Sequence, residues 1–258
     1  MKIFSSTRNI ALRVVFVPGM ATNQTLWQGV IRALAPGVQT SCVDFSECVD
    51  EAQMLSRIND VAVDKRVPTI LAGFSMGGYL SIEYLLKHGL NSISSLVLIN
   101  ASGSGYNQAA KLRRQRLLSD PDIHVQWNSP ERLSSFFDES HPDFKAHLKM
   151  LKTMTEAIGY SEFERQQVAT MNRVNRLLEL KRITIPTMVI YATEDRLVSR
   201  REVDQLINAL PDARLMEIGK AGHMLPLQQP YALAECINEW IYFNQHPKGS
   251  HHVSRPSN

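Results

Sequence analysis

Apolar residues in this chain fall into short β-branched runs, separated by stretches in which apolar positions recur every three or four residues. Leu12 to Val17, Val38 to Val43, Thr69 to Ala72, Ser95 to Ile99, Thr187 to Tyr191 and Arg214 to Ile218 show little polar alternation. That pattern suits strands of a parallel sheet covered on both faces. Between them, Glu51 to Val63, Met76 to His88, Arg201 to Leu210 and Tyr231 to Phe243 carry helical periodicity. The alternation predicts an α/β fold with a mostly parallel, doubly wound sheet and right-handed crossovers.

The rhythm breaks once. Residues 105–182 contain no convincing strand, and helical pieces are predicted at Asn107 to Leu118, Pro130 to Phe137, Pro142 to Ile158 and Ser161 to Arg176. Ser119-Asp120-Pro121, Asn128-Ser129-Pro130, His141-Pro142 and Gly159 separate them. The domain reading is therefore a core formed by residues 1–104 and 183–245, with an inserted helical cap at 105–182. Such an insertion belongs over the carboxyl edge of the sheet, where open α/β folds bind ligands.

Directly after the third strand stands Gly73-Phe74-Ser75-Met76-Gly77-Gly78, followed by a helical pattern. This is G-x-S-x-G in the strand-to-helix setting of a nucleophile elbow, where closely packed glycines let a sharp turn expose the serine hydroxyl. A serine needs a base, and the base needs an orienting group. Asp195 and His223 each follow the end of a predicted strand, so both reach the same sheet edge as Ser75, in the order Ser, Asp, His. Glu194 is the alternative orienting acid. Among the other histidines, His88 reads as a helix C-terminal residue, His124, His141 and His147 fall in the insertion, and His246, His251 and His252 lie in the tail. Two N–H donors should stabilise a developing oxyanion: Met76, and Met20 in Val17-Pro18-Gly19-Met20 after the first strand, where Gly19 lets the backbone approach a substrate.

On these residues the chain resembles the α/β-hydrolase superfamily from Val14 to Trp240, in particular small bacterial carboxylesterase-like and enol-lactonase-like members with a helical cap. Pro18-Gly19-Met20 with Trp27, the serine motif, Ile185-Pro186-Thr187, Ala221-Gly222-His223-Met224 before Gln229-Pro230, and Arg165-Gln166-Gln167 with Met171 all look like that group. Pro18 departs from it, standing where most relatives carry His, which leaves the Met20 N–H in place. The resemblance implies an α/β-hydrolase fold and a serine hydrolase acting on a small to medium, partly apolar ester, lactone or thioester. Triad-bearing lyases or synthases, carbon–carbon hydrolases and non-catalytic receptors share the fold. Phe136, Phe137, Met150, Met154 and Met171 are candidate pocket walls, together with Gly19.

Composition narrows the setting. The 258 residues are 44% hydrophobic and 21% charged, an average globular balance. The formal net charge is only +3, and the one basic cluster, Lys111, Arg113, Arg114 and Arg116, reads as a solvated helix face rather than a nucleic-acid footprint. Cys42, Cys48 and Cys236 lack CxxC spacing and read as free thiols. With neither a secretory leader nor a run near ~18 apolar residues, the expectation is a cytoplasmic protein with no membrane partner, a monomer or homodimer. No metal motif or dinucleotide fingerprint appears, so no cofactor is expected. Residues 246–258 read as a disordered tail.

Overall fold

The computed structural model describes residues 12–63, 67–90 and 93–245, so the predicted tail lies outside the described residues. Six strands form one sheet in the order β2-β1-β3-β4-β5-β6, and every pairing is parallel. They are β1 (Leu12–Val17), β2 (Val38–Cys42), β3 (Thr69–Phe74), β4 (Ile93–Ile99), β5 (Thr187–Ala192) and β6 (Ala213–Ile218). The central strands β3 and β5 are buried at every position, whereas the edge strands β2 and β6 carry the polar Gln39, Arg214 and Glu217.

Alternation along the strands divides the core into two layers. Val14, Phe16, Ile70, Ala72 and Phe74 face one layer, closed by α11 (Pro230–Gln245) through Leu233, Ile237 and Trp240. Val15, Val17 and Leu71 face the other, closed by α2 (Glu51–Ala62), α3 (Met76–His88) and α9 (Arg200–Ala209). Because β2 lies on one side of β1 and β3 on the other, the carboxyl ends of β1 and β3 flank the point where strand order reverses. Open parallel sheets bind ligands at such a point.

Between β4 and β5 the chain forms α4 (Gln108–Ser119), α5 (Ile123–Gln126), α6 (Pro130–Ser134), α7 (Phe144–Ile158) and α8 (Tyr160–Ala169). Asn107 and Ser129 cap α4 and α6 by accepting from the Ala110 and Arg132 N–H groups. Helix α8 ends seven residues before the sequence pattern does. The Thr170 hydroxyl donates to the Gln166 carbonyl at 2.8 Å, the chain turns, and Tyr106 N and Arg176 N bond to Arg173 O and Gly103 O, strapping the segment to the loop after β4. Three short elements carry too little periodicity to read in advance: α5, α1 (Gln28–Ala33) behind a 3₁₀ turn at Gln24–Trp27, and α10 (Leu225–Gln228). Among the described residues no helix is long and apolar enough to cross a membrane.

Candidate active site

Ser75 occupies the turn between β3 and α3 at φ 52° and ψ −115°, a left-handed backbone that side-chain-bearing residues rarely adopt. Close packing holds it there. A Cβ at Gly73 would lie 2.6 Å from the Gly77 carbonyl oxygen, and one at Gly77 would lie 2.5 Å from the Pro18 carbonyl oxygen. The Ser75 N–H donates to Ile99 O at 2.9 Å, and its carbonyl accepts from Gly78 N at 3.0 Å, so the strained residue is tied to β4 and to its own helix. Strain of this kind costs ~1–3 kcal/mol and persists where the surroundings over-determine it.

Asp195 and His223 come to the same edge from the loops after β5 and β6. His223 Nδ1 lies 2.8 Å from Asp195 Oδ2, and His223 Nε2 lies 2.8 Å from Ser75 Oγ. The other Asp195 oxygen accepts from Leu197 N at 2.7 Å and Val198 N at 3.1 Å, which fixes the carboxylate plane. Glu194 instead turns its carboxylate onto Ala221 N at 3.1 Å, bracing the histidine loop from behind. His223 is 6% exposed, and its ring packs 5.1 Å from the Phe74 ring.

Two buried amides that the sequence did not mark hold the histidine loop. Asn100, at φ 44° in the turn after β4, donates from Nδ2 to the carbonyls of His223 (2.9 Å) and Gly222 (3.3 Å) and accepts from Ala192 N (2.8 Å). Gln228 Oε1 accepts from Gly222 N (2.8 Å) and Asp138 N (3.0 Å), while its Nε2 donates to Asp138 O (2.9 Å). The loop after α6 is thereby stitched to the loop that carries the imidazole, an attachment completed by Met224 N to Phe136 O at 3.0 Å. An Asn after a strand is the one available signal, since Asn tolerates left-handed turns.

Met76 opens α3, where a first-turn N–H has no partner within the helix. Met20 follows Gly19, whose missing Cβ would lie 2.8 Å from the Phe74 ring. The carbonyl of Gly19 is pinned by the Thr22 hydroxyl at 2.9 Å, and the next turn, Ala21 at φ 51°, donates its N–H to Gln166 Oε1 at 2.8 Å. Gln166 lies on α8, so the inserted helices contact the loop after β1 directly. A cavity of about 430 Å³ opens beside this loop, lined by Pro18, Thr22, Asp44, Glu162, Arg165 and Gln166 among others. Ser75 and His223 are not in its wall, and neither are Phe136, Phe137, Met150, Met154 and Met171. Phe137 and Met154 are packed into the core at 1% and 3% exposure, Phe136 and Met171 are half-buried, and Met150 is 44% exposed.

Below the Ser75 turn, Glu83 on α3 is fully buried and bonded to Tyr79 Oη (2.6 Å) and the Arg176 guanidinium (2.5 and 3.0 Å). Burial pushes its carboxyl up, but the Arg176 and Tyr79 hydrogen bonds and the Arg176 charge outweigh that and hold it below its ordinary range. Among the described residues no group of three or more His, Cys, Asp or Glu side chains is arranged to hold a metal ion. Cys42, Cys48 and Cys236 are free thiols.

Comparison with known proteins agrees with this architecture. Residues 14–235 match the family described as Alpha/beta hydrolase family, and the chain belongs to it. It is 21% identical over 254 residues to the monoacylglycerol lipase ABHD6 of Homo sapiens, an alignment covering 88% of this chain and 74% of that one. It is also 27% identical over 192 residues to the uncharacterized hydrolase YugF of Bacillus subtilis, covering 67% of this chain and 64% of that one. Among solved structures, the enol-lactonase from Burkholderia xenovorans LB400 superposes with a TM-score of 0.74 at 17% identity, over 90% of this chain and 92% of that one. The esterase EaEST from Exiguobacterium antarcticum gives 0.74 at 20% identity with the same coverages. At these identities the structural likeness is one of fold. Together with the lipase and hydrolase relatives, the family match makes the chain an α/β-hydrolase-family hydrolase.

Proposed function

We propose that this protein is a serine hydrolase that cleaves a carboxylic ester, lactone or thioester through an acyl-Ser75 intermediate. The observation that carries the reading is the line from Ser75 Oγ to His223 Nε2 to Asp195 Oδ2, each step 2.8 Å, with the serine in a strained turn at the strand-order reversal. His223 takes the Ser75 proton as Oγ attacks the acyl carbon, while Asp195 holds the imidazole with Nε2 free to accept and balances the imidazolium that forms. The Met76 and Met20 N–H groups receive the oxyanion. As the intermediate collapses, His223 returns the proton to the leaving group. A water then deacylates the serine by the same route.

In this reading residues 105–182 act as a cap. The Gln228 and Met224 hydrogen bonds to residues 136 and 138, and the Gln166 bond to Ala21, support that role, since they tie the inserted helices to both loops that serve the reaction. In the same reading Gly19, Phe136, Phe137, Met150, Met154 and Met171 are the residues that contact the substrate. The three free thiols fit a reducing, cytoplasmic compartment. A ladder of p-nitrophenyl esters of increasing acyl length, run beside lactones and thioesters with Ser75→Ala as control, tests the reading. Turnover that depends on Ser75 is expected. Turnover that survives in Ser75→Ala, or none with any of the three acyl classes, would overturn it.

A further inference from the structure

Three arginines of this molecule are neutralised by carboxylates: Arg165 pairs with Glu162, Arg176 with Glu83 and Glu179, and Arg200 with Asp204 and Glu217. Among the arginines without such a partner, three in residues 105–182 lie together. Arg114, Arg132 and Arg173 are each partly buried, and none makes an ion pair among the described residues. The sequence pattern put Arg114 on a solvated helix face; α4 instead turns it inward, where its guanidinium lies 4.0 Å over the Tyr106 ring and bonds to Tyr106 Oη and Gln167 Oε1. Arg173 lies 4.1 Å over the Tyr79 ring and donates to the carbonyls of Ser104 (2.8 Å) and Ser102. Arg132 rests 5.8 Å over the Phe163 ring, and no hydrogen bond from its guanidinium is made to the described residues.

Arg114 acts on both of the others. Burial, and then the charge of Arg114, holds the Arg132 guanidinium below its ordinary range, and burial chiefly, with Arg114 adding to it, lowers that of Arg173. Like charges gathered in a partly desolvated place without a carboxylate are costly unless something anionic joins them. Their location says what that is. Tyr79, under Arg173, stands one helical turn from Ser75, and Ser102 and Ser104 continue the strand whose Ile99 carbonyl holds the Ser75 N–H. Phe163, under Arg132, packs with Trp127 at 4.9 Å, in an apolar cluster with Ala21 and Met20 of the loop after β1. The cations therefore roof the sheet edge that carries the proposed nucleophile and the proposed oxyanion donors.

We propose that Arg114 and Arg132, backed by Arg173, form an anion-binding subsite of the active site, so that the substrate carries an oxyacid group, a carboxylate or a phosphate, beside its scissile acyl bond. This rests on the hydrolase reading above. Each guanidinium has five N–H donors in a planar fork matched to such a group. Arg114 spends two on Gln167 and Tyr106, and Arg132 none. Arg132 is then the principal contact, and Arg114 supplies a second donor and field. Neutral short-chain esters bind without this anchor.

The test compares p-nitrophenyl hydrogen glutarate with p-nitrophenyl valerate, esters of similar length that differ by one carboxylate. Two charge-assisted contacts predict a preference in kcat/KM of about 10- to 100-fold for the anionic ester. Arg132→Gln removes most of that preference and Arg132→Lys restores part of it. Arg182→Gln, which deletes an exposed cation beside Leu86 at the far end of α3, leaves it intact. Inhibition by glutarate assigns a carboxylate site, and stronger inhibition by inorganic phosphate assigns a phosphate-bearing substrate. A preference below twofold that Arg132→Gln does not change overturns the subsite while leaving the hydrolase standing. If neither ester is hydrolysed, the hydrolase reading is the one in trouble, and binding decides the subsite alone: glutarate or phosphate must raise the Tm of Ser75→Ala and fail to raise that of Ser75→Ala with Arg132→Gln.

Discussion

Asn100→Asp exchanges one side-chain nitrogen for oxygen and leaves shape unchanged, yet it should turn the histidine loop into a pH-sensitive element. In the native protein the fully buried Asn100 amide donates to the His223 carbonyl at 2.9 Å and the Gly222 carbonyl at 3.3 Å, while its oxygen accepts from Ala192 N. An aspartate there would aim a carboxylate oxygen at two carbonyl oxygens unless it held a proton and donated it. Its folded pKa must therefore rise above the unfolded value of about 3.9, and a rise to about 7 corresponds to about 4 kcal/mol. The sign follows from linkage. The folded variant binds more protons than the unfolded chain between those two values, so its stability falls as pH rises through that window. Well below the unfolded pKa both states are protonated, and the deficit reduces to one lost contact, about 1 kcal/mol. Urea unfolding of both proteins at intervals from pH 4 to 8 gives the difference directly. Ester turnover by the variant should fall along the same curve, because the moved loop carries the proposed base. A deficit that stays below 1 kcal/mol and constant across the range would refute the assignment of these hydrogen bonds.

Ser75→Ala and His223→Ala should each lower kcat by several orders of magnitude, and the double variant should be little worse, since the pair acts as a unit; additive losses in steady-state kinetics would contradict this. Gly77→Ala forces a Cβ to within 2.5 Å of the Pro18 carbonyl oxygen and should destabilise by about 3 kcal/mol or more, read as a lower midpoint of urea unfolding. Glu83→Gln breaks the pair with Arg176 and should cost about 3 kcal/mol at pH 7. Because the folded carboxyl is held below its ordinary range, that contribution is complete above the ordinary value of 4.5 and is lost as pH falls beneath it, so the gap should close in acid unfolding measurements.

The sheet was legible in the sequence because its central strands are buried on both faces, so the β-branched runs stand out with ends that shift by at most two residues. Helix α3 was read from Met76 to His88 as it occurs, since the serine turn marks its start and Gly89 at φ 82° its end. The serine, aspartate and histidine were legible for a different reason: each sits one turn past a strand, and parallel strands deliver such turns to one edge. Asp195 was read ahead of Glu194 with less to go on, because neighbouring loop residues differ only in which way the backbone turns them. Asn100 and Gln228 were invisible because their partners come from distant segments, as with Asn100 and His223, 123 residues apart. Arg114 misled for the same reason. Its charge run looks like a solvated face until α8 and the loop after β4 close over it.

Covalent labelling by a fluorophosphonate tests the central claim most directly, because a phosphonate captures a serine only where a base and an oxyanion site already act on it. Intact-mass spectrometry followed by peptide mapping should find a single adduct on Ser75 in the native protein, with labelling slowed by orders of magnitude in His223→Ala. A native protein that stays unlabelled, or an adduct on any other residue, would contradict the account.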